Sequence, residues 1–368
     1  MINSQAMRKA WIILLFPLLI VGCGQEQTGT TTTSTTTTTW PTAYWTGRSI
    51  TSAETFSAQI IYCSGNLSIE SGGSLTLNNS ILYVSCESDA QFGIFVKSGG
   101  TLAITNESLV SAFSTAEGYY SFWYQPGSAG SIYNSTVEAA WTPSTESRSF
   151  INQAGLLVEA ADFLVSGSTI QGSKGNGLET FNASRFRASN SSFISNEASG
   201  LLVRNSSGVS LEGNSFSNNN GNGLYLEGTA EVTALGNTIN SNNIGVKVFN
   251  NLQATTFESN TINNNSTWGI SIDNASPRFY YNVVTNNDQA ANLTQTYGLP
   301  QPNFGDLNID RTGYNDLSGN TNGVVNNTIS YIKAENNFWD FYSLGAIANY
   351  NNDVEDRIDA APYLISPP

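Results

Sequence analysis

The segments Ser168-Thr169-Ile170, Ser191-Ser192-Phe193, Asn214-Ser215-Phe216, Asn237-Thr238-Ile239 and Asn260-Thr261-Ile262 are copies of one short pattern, and the step from each copy to the next is constant. Related units lie on both sides of this run and bring the total to eleven: Asn79-Ser80-Ile81, Glu107-Ser108-Leu109, Ser135-Thr136-Val137, Asn282-Val283-Val284, Asn315-Asp316-Leu317 and Asn337-Phe338-Trp339. The period is about 23 residues, and a fixed period of this order indicates structural units that stack on one another. Longer steps are expected where a turn holds an insertion.

Each unit has the same internal order. An Asn follows three places after the apolar residue, at Asn196, Asn219, Asn242, Asn265 and Asn287. A Gly then opens a short alternating segment, at Gly177, Gly200, Gly223, Gly245 and Gly269. Alternation with a period of two, broken by Asn, Gly and Ser, indicates short strands and not helix. Three such strands in about 23 residues close one coil, which predicts an all-β parallel β-helix (a solenoid) of roughly eleven coils, with short end caps, over residues 40–368.

Stacking makes specific demands on side chains, because each residue lies one strand spacing, about 4.8 Å, from its counterpart in the next coil. An inward position must therefore be apolar in every coil. We expect Phe193, Phe216, Ile239 and Ile262 to form a continuous interior column. We also expect the stacked Asn side chains at the turns to hydrogen-bond from coil to coil.

The composition excludes several classes of function. Fourteen Lys and Arg face 28 Asp and Glu, which gives a formal net charge of −14 and argues against nucleic acid as a partner. The chain has no histidine, so Ser-His-Asp and Cys-His nucleophile systems and His-ligated zinc or haem are excluded. No segment has the spacing of a calcium-binding loop. We therefore predict neither a metal nor another cofactor, and we expect a monomer.

The N-terminal residues resemble a bacterial lipoprotein signal. Arg8 and Lys9 precede the apolar run 10–21, which is too short to span a bilayer. The ending Ile20-Val21-Gly22-Cys23 resembles a lipobox, which implies cleavage before Cys23 and attachment of lipid to its thiol. We therefore predict a signal peptide at 1–22, a lipidated Cys23 with a Thr-rich tether at 23–39, and an outer-membrane lipoprotein that could be surface-exposed. An ordinary signal peptide followed by an accidental Cys is the alternative.

The repeat itself resembles the right-handed parallel β-helix (pectate-lyase-like) superfamily. The segment Asn337-Phe338-Trp339-Asp340 is also similar to a C-terminal ending common in bacterial β-helix surface proteins, although Phe338 and Asp340 depart from the usual residues. This resemblance implies a right-handed helix. It does not imply one activity, because the superfamily contains lyases, hydrolases, epimerases and adhesins.

Two cysteines remain after Cys23. The step along the chain from Cys63 to Cys86 equals one period of the repeat, which would place them on adjacent coils if the regular period applies there. We predict a disulfide between them, since an exported protein meets oxidising conditions. Two buried free thiols are the alternative.

The post-Gly strands supply the candidate site. Alternation directs the residues two and four places after each Gly outward, in two adjacent columns: Glu179, Leu202, Tyr225, Lys247 and Ser271, and then Phe181, Arg204, Glu227, Phe249 and Asp273. A hydrolase would use Glu227 and Asp273 as acid and base. A lyase would use Lys247 or Arg204 as base and charge neutraliser. A glycan-binding face would use Glu179, Tyr225 and Phe249. An ordinary surface of paired charges is the remaining alternative.

Two hypotheses on function follow. The first is a non-catalytic envelope or adhesion module, held to the membrane by the lipid on Cys23, that binds glycan or protein along this face. The second is a polysaccharide lyase or glycoside hydrolase anchored in the same way.

Overall fold

The computed structural model describes residues 39–143, 154–251, 254–298, 300–308, 313–339 and 358–368. The predicted signal peptide, Cys23 and the tether up to residue 38 lie outside the described residues. Within the described part the chain forms a right-handed parallel β-helix. Three sheets run along the described part, to which the strand counts below refer, and consecutive strands belong to sheet 1, sheet 2 and sheet 3 in turn as far as residue 305. No helix in the described part has the length and apolar character needed to cross a bilayer.

Sheet 1 contains the strands that begin within the repeated units, together with two strands before the first unit. Its eleven strands are Thr42–Trp45, Ile60–Cys63, Ile81–Val84, Leu109–Ala112, Thr136–Glu138, Thr169–Gln171, Ser192–Ile194, Ser215–Ser217, Thr238–Asn240, Thr261–Asn263 and Val283–Thr285.

Sheet 2 contains the post-Gly strands. Its twelve strands are Arg48–Ile50, Leu67–Ile69, Gly93–Val96, Ser121–Tyr124, Ala154–Val158, Asn176–Phe181, Leu201–Arg204, Asn222–Glu227, Ile244–Phe249, Trp268–Asp273, Gln289–Thr294 and Asn322–Asn326.

Sheet 3 closes each coil. Its thirteen strands are Ala53–Ser57, Ser74–Asn78, Thr101–Thr105, Ala129–Tyr133, Leu164–Ser166, Arg187–Ser189, Ser207–Glu212, Ala230–Leu235, Thr255–Glu258, Arg278–Tyr280, Asn303–Gly305, Ile332–Ala334 and Ile358–Asp359.

The interior is a set of stacked apolar columns, as the repeat predicts. Phe193, Phe216, Ile239 and Ile262 are paired in register on sheet 1 and are fully buried. The rings of Phe193 and Phe216 stack with their centroids 5.0 Å apart. Each ring therefore covers its own counterpart and removes apolar area from water on both faces.

Buried polar side chains form hydrogen-bonded ladders at two corners of the helix, one along most of its described length and one in the later coils only. At the first corner, between sheet 3 and sheet 1, each ladder oxygen accepts a hydrogen bond of 2.9–3.2 Å from the backbone N–H of the preceding ladder residue. The members are Ser80, Ser108, Ser135, Ser168, Ser191, Asn214, Asn237, Asn260, Asn282, Asn315 and Asn337.

The second corner, between sheet 1 and sheet 2, has an all-Asn ladder: Asn196, Asn219, Asn242, Asn265, Asn287 and Asn320. The prediction of hydrogen-bonded Asn side chains is confirmed. Two roles at the turn belong to neighbouring residues. One residue adopts the positive φ and the next one forms the ladder, for example Asn218 and then Asn219. The ladder side chain is thus free to turn inward, away from water.

The register of two upstream units differs from the prediction by one residue. Ser80 and Ser108 are the ladder members there, and the inward side chains are Leu82 and Val110 instead of Ile81 and Leu109. A shift of one place exchanges the inward and outward faces of a strand. The polar ladder residue, and not the apolar residue, is therefore the reliable marker of register in this part of the chain.

The helix extends beyond the eleven units at both ends. Two earlier strands, Thr42–Trp45 and Ile60–Cys63, precede the first unit in sheet 1, so the helix itself begins close to residue 40. At the other end Phe338 pairs with Leu364. Sheet 2 has twelve strands in the described part, which corresponds to about twelve turns, close to the roughly eleven predicted.

The predicted disulfide is wrong in this structure. Cys63 pairs in register with Val84, so the coil at this point is two residues shorter than the regular period and Cys86 lies two residues beyond the level of Cys63. Both cysteines are free and buried, and burial raises the pKa of both thiols. The Cys63 thiol donates to the carbonyl oxygen of Gly65 at 3.2 Å.

Candidate functional site

The predicted outward columns of sheet 2 exist in register. Glu179, Leu202, Tyr225, Lys247 and Ser271 are successive partners, and so are Phe181, Arg204, Glu227, Phe249 and Asp273. We call these two columns the charged face. These positions alternate along each strand with fully buried inward residues such as Val246 and Val248, which fix the direction of their neighbours.

The face is not uniformly exposed. Glu179 and Arg204 are 0% and 5% accessible, so neither lies open to solvent as the sequence suggested. Arg204 donates through Nε to Glu227 Oε2 at 3.0 Å, and its Nη1 lies 3.4 Å from Glu179 Oε1. One guanidinium therefore serves two carboxylates on the coils before and after it.

The buried carboxyl group of Glu179 is poorly solvated. Its Oε2 accepts a hydrogen bond from Asn176 Nδ2 at 3.3 Å, whereas its Oε1 accepts none in the structure. Loss of hydration raises the pKa of Glu179 to about 7, and the positive charge of Arg204 opposes that rise. The group can therefore change its charge near neutral pH.

The half-exposed part of the face begins one coil later. The Lys247 ammonium lies 4.8 Å from the centroid of the Tyr225 ring, within the range of a cation–π contact. Burial, with the neighbouring Glu227 carboxylate, raises the pKa of Tyr225, so its phenol stays protonated. Phe249 is half-buried beside Lys247. This arrangement offers two aromatic rings, a fixed cation and a phenol to a ligand.

The proposed acid–base pair is spread along the face. Glu227 and Asp273 lie in register two coils apart, which separates their backbones by about 10 Å. Each carboxylate already has partners: Glu227 binds Arg204, and Asp273 accepts hydrogen bonds from the backbone N–H and the hydroxyl of Thr296 at 2.9 and 2.6 Å. The structure therefore does not bring them together as a pair.

The first column continues upstream in residues that the sequence reasoning missed. Phe95, Trp123 and Leu157 lie in register before Glu179. Trp123 donates from Nε1 to Glu159 Oε2 at 2.6 Å. The strand Ser121–Tyr124 has Ser121 where later coils have Gly, so the post-Gly signal was missing there. Alternation within the strand was the signal that could have found Trp123.

The thiol and carboxylate side chains of the described residues do not form a metal centre. Among the residues that the structure describes, no cluster of Cys, Asp and Glu has the arrangement needed to hold a metal ion.

Comparison with known families places the fold. A family model described as "Right handed beta helix region" matches residues 154–338, just over half of the chain. The chain belongs to this right-handed β-helix family. None of the curated proteins compared with it matches its sequence.

Solved structures share the β-helix of this protein at low sequence identity. A point mutant of the periplasmic alginate epimerase AlgG is 14% identical with a TM-score of 0.54, covering 79% of this chain and 76% of that one. The A-module of the mannuronan C-5 epimerase AlgE6 of Azotobacter vinelandii is 11% identical with a TM-score of 0.50, covering 84% and 91%. PfbA, a surface adhesin of Streptococcus pneumoniae, is 12% identical with a TM-score of 0.43, covering 76% and 82%. Likeness at this level is one of fold.

Proposed function

We propose that this protein is a β-helix lipoprotein of the bacterial envelope, anchored in the outer membrane through lipid on Cys23, that binds glycan along the charged face without catalysing a reaction. The observation that carries the proposal is the half-exposed group of Tyr225, Lys247 and Phe249 beside carboxylates that are already fixed. Polar groups held in place beside aromatic rings are what a sugar-binding surface requires, because ordering them on binding would otherwise reduce affinity.

The state of the carboxylates favours binding over catalysis. A general acid or base needs an accessible carboxyl group within hydrogen-bond reach of the substrate. Glu227 is engaged by Arg204 and Asp273 by Thr296, while Glu179 is buried. These acids serve the structure of the face and shape the charge that a ligand meets.

One observation favours the second candidate, a polysaccharide lyase or glycoside hydrolase. The pKa of Glu179 is raised to about 7 beside the Arg204 cation, and such perturbed groups cluster at catalytic sites. Two of the structures that share the fold are epimerases by name, the alginate epimerase AlgG and the mannuronan C-5 epimerase module AlgE6. Glu179 would have to become accessible for this candidate to hold.

An array of neutral and acidic polysaccharides tests both candidates with the same protein. We expect binding to at least one glycan, weakened at least about tenfold by Tyr225→Ala or Phe249→Ala, since aromatic anchors dominate such contacts. Thr233→Ala is the matched control, because Thr233 is exposed on sheet 3 of the same coil. Absence of binding to every glycan of the array, or equal binding by all variants, would refute binding through this face.

The products decide between the candidates. New reducing ends, or an unsaturated product that absorbs ultraviolet light, would establish the enzyme instead if Glu227→Gln or Lys247→Ala abolished them. Binding with no product on any glycan of the array supports the non-catalytic module.

A further inference from the structure

The outer face of sheet 1 carries a polar group that no part of the charged face includes. Ser111, Glu138 and Gln171 lie side by side on three consecutive coils. The Ser111 hydroxyl donates to Glu138 Oε1 at 3.0 Å, and the Gln171 amide donates to Oε2 at 2.7 Å. The carboxylate is thus oriented by one donor on each oxygen, from the coil before and the coil after.

An open cavity of about 610 Å³ lies over this carboxylate. Its walls include Phe113 and Tyr119, and its floor includes Ser111, Glu138 and Gln171. Cavities of this size accommodate small ligands, and a few converging polar groups among aromatic walls determine which ligand fits. Phe113 is 53% exposed, so its ring is available for contact.

A row of aromatic rings supports Phe113 from behind. Tyr44, Tyr62 and Tyr83 stack in successive coils with centroid separations of 5.4 and 5.5 Å. Phe113 meets Tyr62 and Tyr83 edge to face, at 5.6 and 6.0 Å. These contacts hold the Phe113 ring in one orientation before any ligand arrives, which lowers the entropy lost on binding.

The chemistry of the lining indicates the ligand. Each Glu138 oxygen has a second lone-pair direction beyond the donor it already binds, so the carboxylate can accept hydrogen bonds from two further hydroxyl groups. Among the described residues that line the cavity, Glu138 is the charged member. A carboxylate without a neighbouring cation in the lining repels uronic acids and other anionic sugars.

We propose that this cavity is a binding site for a neutral sugar unit of a glycan, with adjacent hydroxyls donating to Glu138 and the C–H face of the sugar against Phe113. The site lies on a different sheet from the charged face. It therefore stands whether or not the charged face binds glycan.

Titration calorimetry with three neutral probes, cellohexaose, laminarihexaose and mannohexaose, tests the site, with trigalacturonate as the anionic comparison. We expect at least one neutral probe to bind more tightly than trigalacturonate, and Glu138→Gln and Phe113→Ala each to weaken it at least about tenfold. Glu212→Gln is the matched control, since Glu212 is exposed on sheet 3. Phe113→Leu, which keeps apolar volume, covers the case in which the Ala variant does not fold.

The results separate this site from the charged face. Binding that Tyr225→Ala removes and Glu138→Gln leaves intact would assign all sugar binding to the charged face and overturn the proposal. So would the absence of any neutral binder, or preference for trigalacturonate. Loss with Glu138→Gln alone supports the cavity even if the charged face binds nothing.

Discussion

The first corner ladder consists of hydroxyl side chains in one part of the molecule and of amide side chains in the other, and the amides link more coils than the hydroxyls do. From Ser80 to Ser191 the corner side chains are hydroxyls, and from Asn214 to Asn337 they are amides. We call these the hydroxyl coils and the amide coils. Ser135 accepts from the Ser108 N–H of the preceding coil, but its own hydroxyl donates within its coil, to Tyr133.

An Asn at the same place reaches further. Asn237 accepts from the Asn214 N–H at 2.9 Å, and its amide donates to the Leu211 carbonyl and to Asn260 Oδ1, at 3.0 and 2.9 Å. One amide thus joins the backbone of the preceding coil to the side chain of the following one. A hydroxyl cannot make both donations, because it has one hydrogen to donate. The amide coils should therefore unfold more cooperatively than the hydroxyl coils.

Removing one corner side chain from each region is the most severe test of this difference. We expect Asn237→Ala to lower the free energy of unfolding by about 3–5 kcal/mol, because the buried Asn214 N–H loses its acceptor and the Leu211 carbonyl loses the amide that donates to it. Ser135→Ala should lower it by only about 1–2 kcal/mol, because one buried N–H loses its acceptor.

Denaturant unfolding measures both variants, and hydrogen exchange at the Asn214 amide reports the corner directly. Asn220→Ala is the control, since Asn220 is exposed next to a buried ladder Asn. Equal losses for the two corner variants would contradict the difference between the regions.

A smaller loss is expected from crowding the amide coils. A Cβ on Gly223 would lie 2.6 Å from Ile239 Cγ2 and 2.8 Å from the amide nitrogen of Asn242, a member of the second ladder. Gly223→Ala should therefore lower the free energy of unfolding by about 2–3 kcal/mol. In the hydroxyl coils, the column of sheet 2 that includes Gly223 already contains a residue with a Cβ, namely Ser121, which pairs with Gly93.

Thermal unfolding compares the loss of stability in Gly223→Ala with that in Gly236→Asn. Gly236 has φ +62° and open space at its Cβ, and Asn190 adopts this conformation in another coil. We expect Gly236→Asn to be nearly neutral. A Gly223→Ala protein as stable as Gly236→Asn would show that the amide ladder leaves more room than the structure indicates.

A dependence on pH is expected next to the junction of the two regions, in the last hydroxyl coils, where Glu179 and Arg204 lie. The folded protein holds the Glu179 proton with a pKa of about 7, above the 4.5 of an ordinary Glu. The folded state then binds more protons than the unfolded chain between these values, so this contribution to stability is full below pH 4.5 and is lost as the pH rises to about 7.

Glu179→Gln should remove that dependence, and denaturant midpoints at acidic and neutral pH measure it. Glu212→Gln, on an exposed residue, should leave it unchanged. A wild-type midpoint that rises with pH across this range would contradict the assignment.

The regular repeat was sufficient to predict the interior and the outward columns. Phe193 and Phe216 stack because their sequence period equals one coil, and Tyr225 and Lys247 meet for the same reason. Prediction failed where coil length changes. The coil between Cys63 and Val84 is two residues shorter than the period, so Cys63 pairs in register with Val84 and not with the predicted Cys86.

The burial of the candidate acids could not be predicted from their own strands. Glu179 and Lys247 occupy equivalent outward positions, yet Glu179 is buried and Lys247 is half-exposed. Alternation gives the direction of a side chain but not what covers it. The cavity around Glu138 was missed for a related reason, since its lining comes from four coils and from the turn that holds Phe113.

The amino-acid sequence by itself determined the coil, its core columns and its Asn ladders. Each coil packs against a near copy of itself, so residues that recur with the period of the sequence become neighbours in the tertiary structure. The tertiary structure decided which outward side chains meet water and where aromatic and polar residues converge on Glu138. Those outcomes depend on chain segments that do not repeat, and so no period in the sequence encodes them.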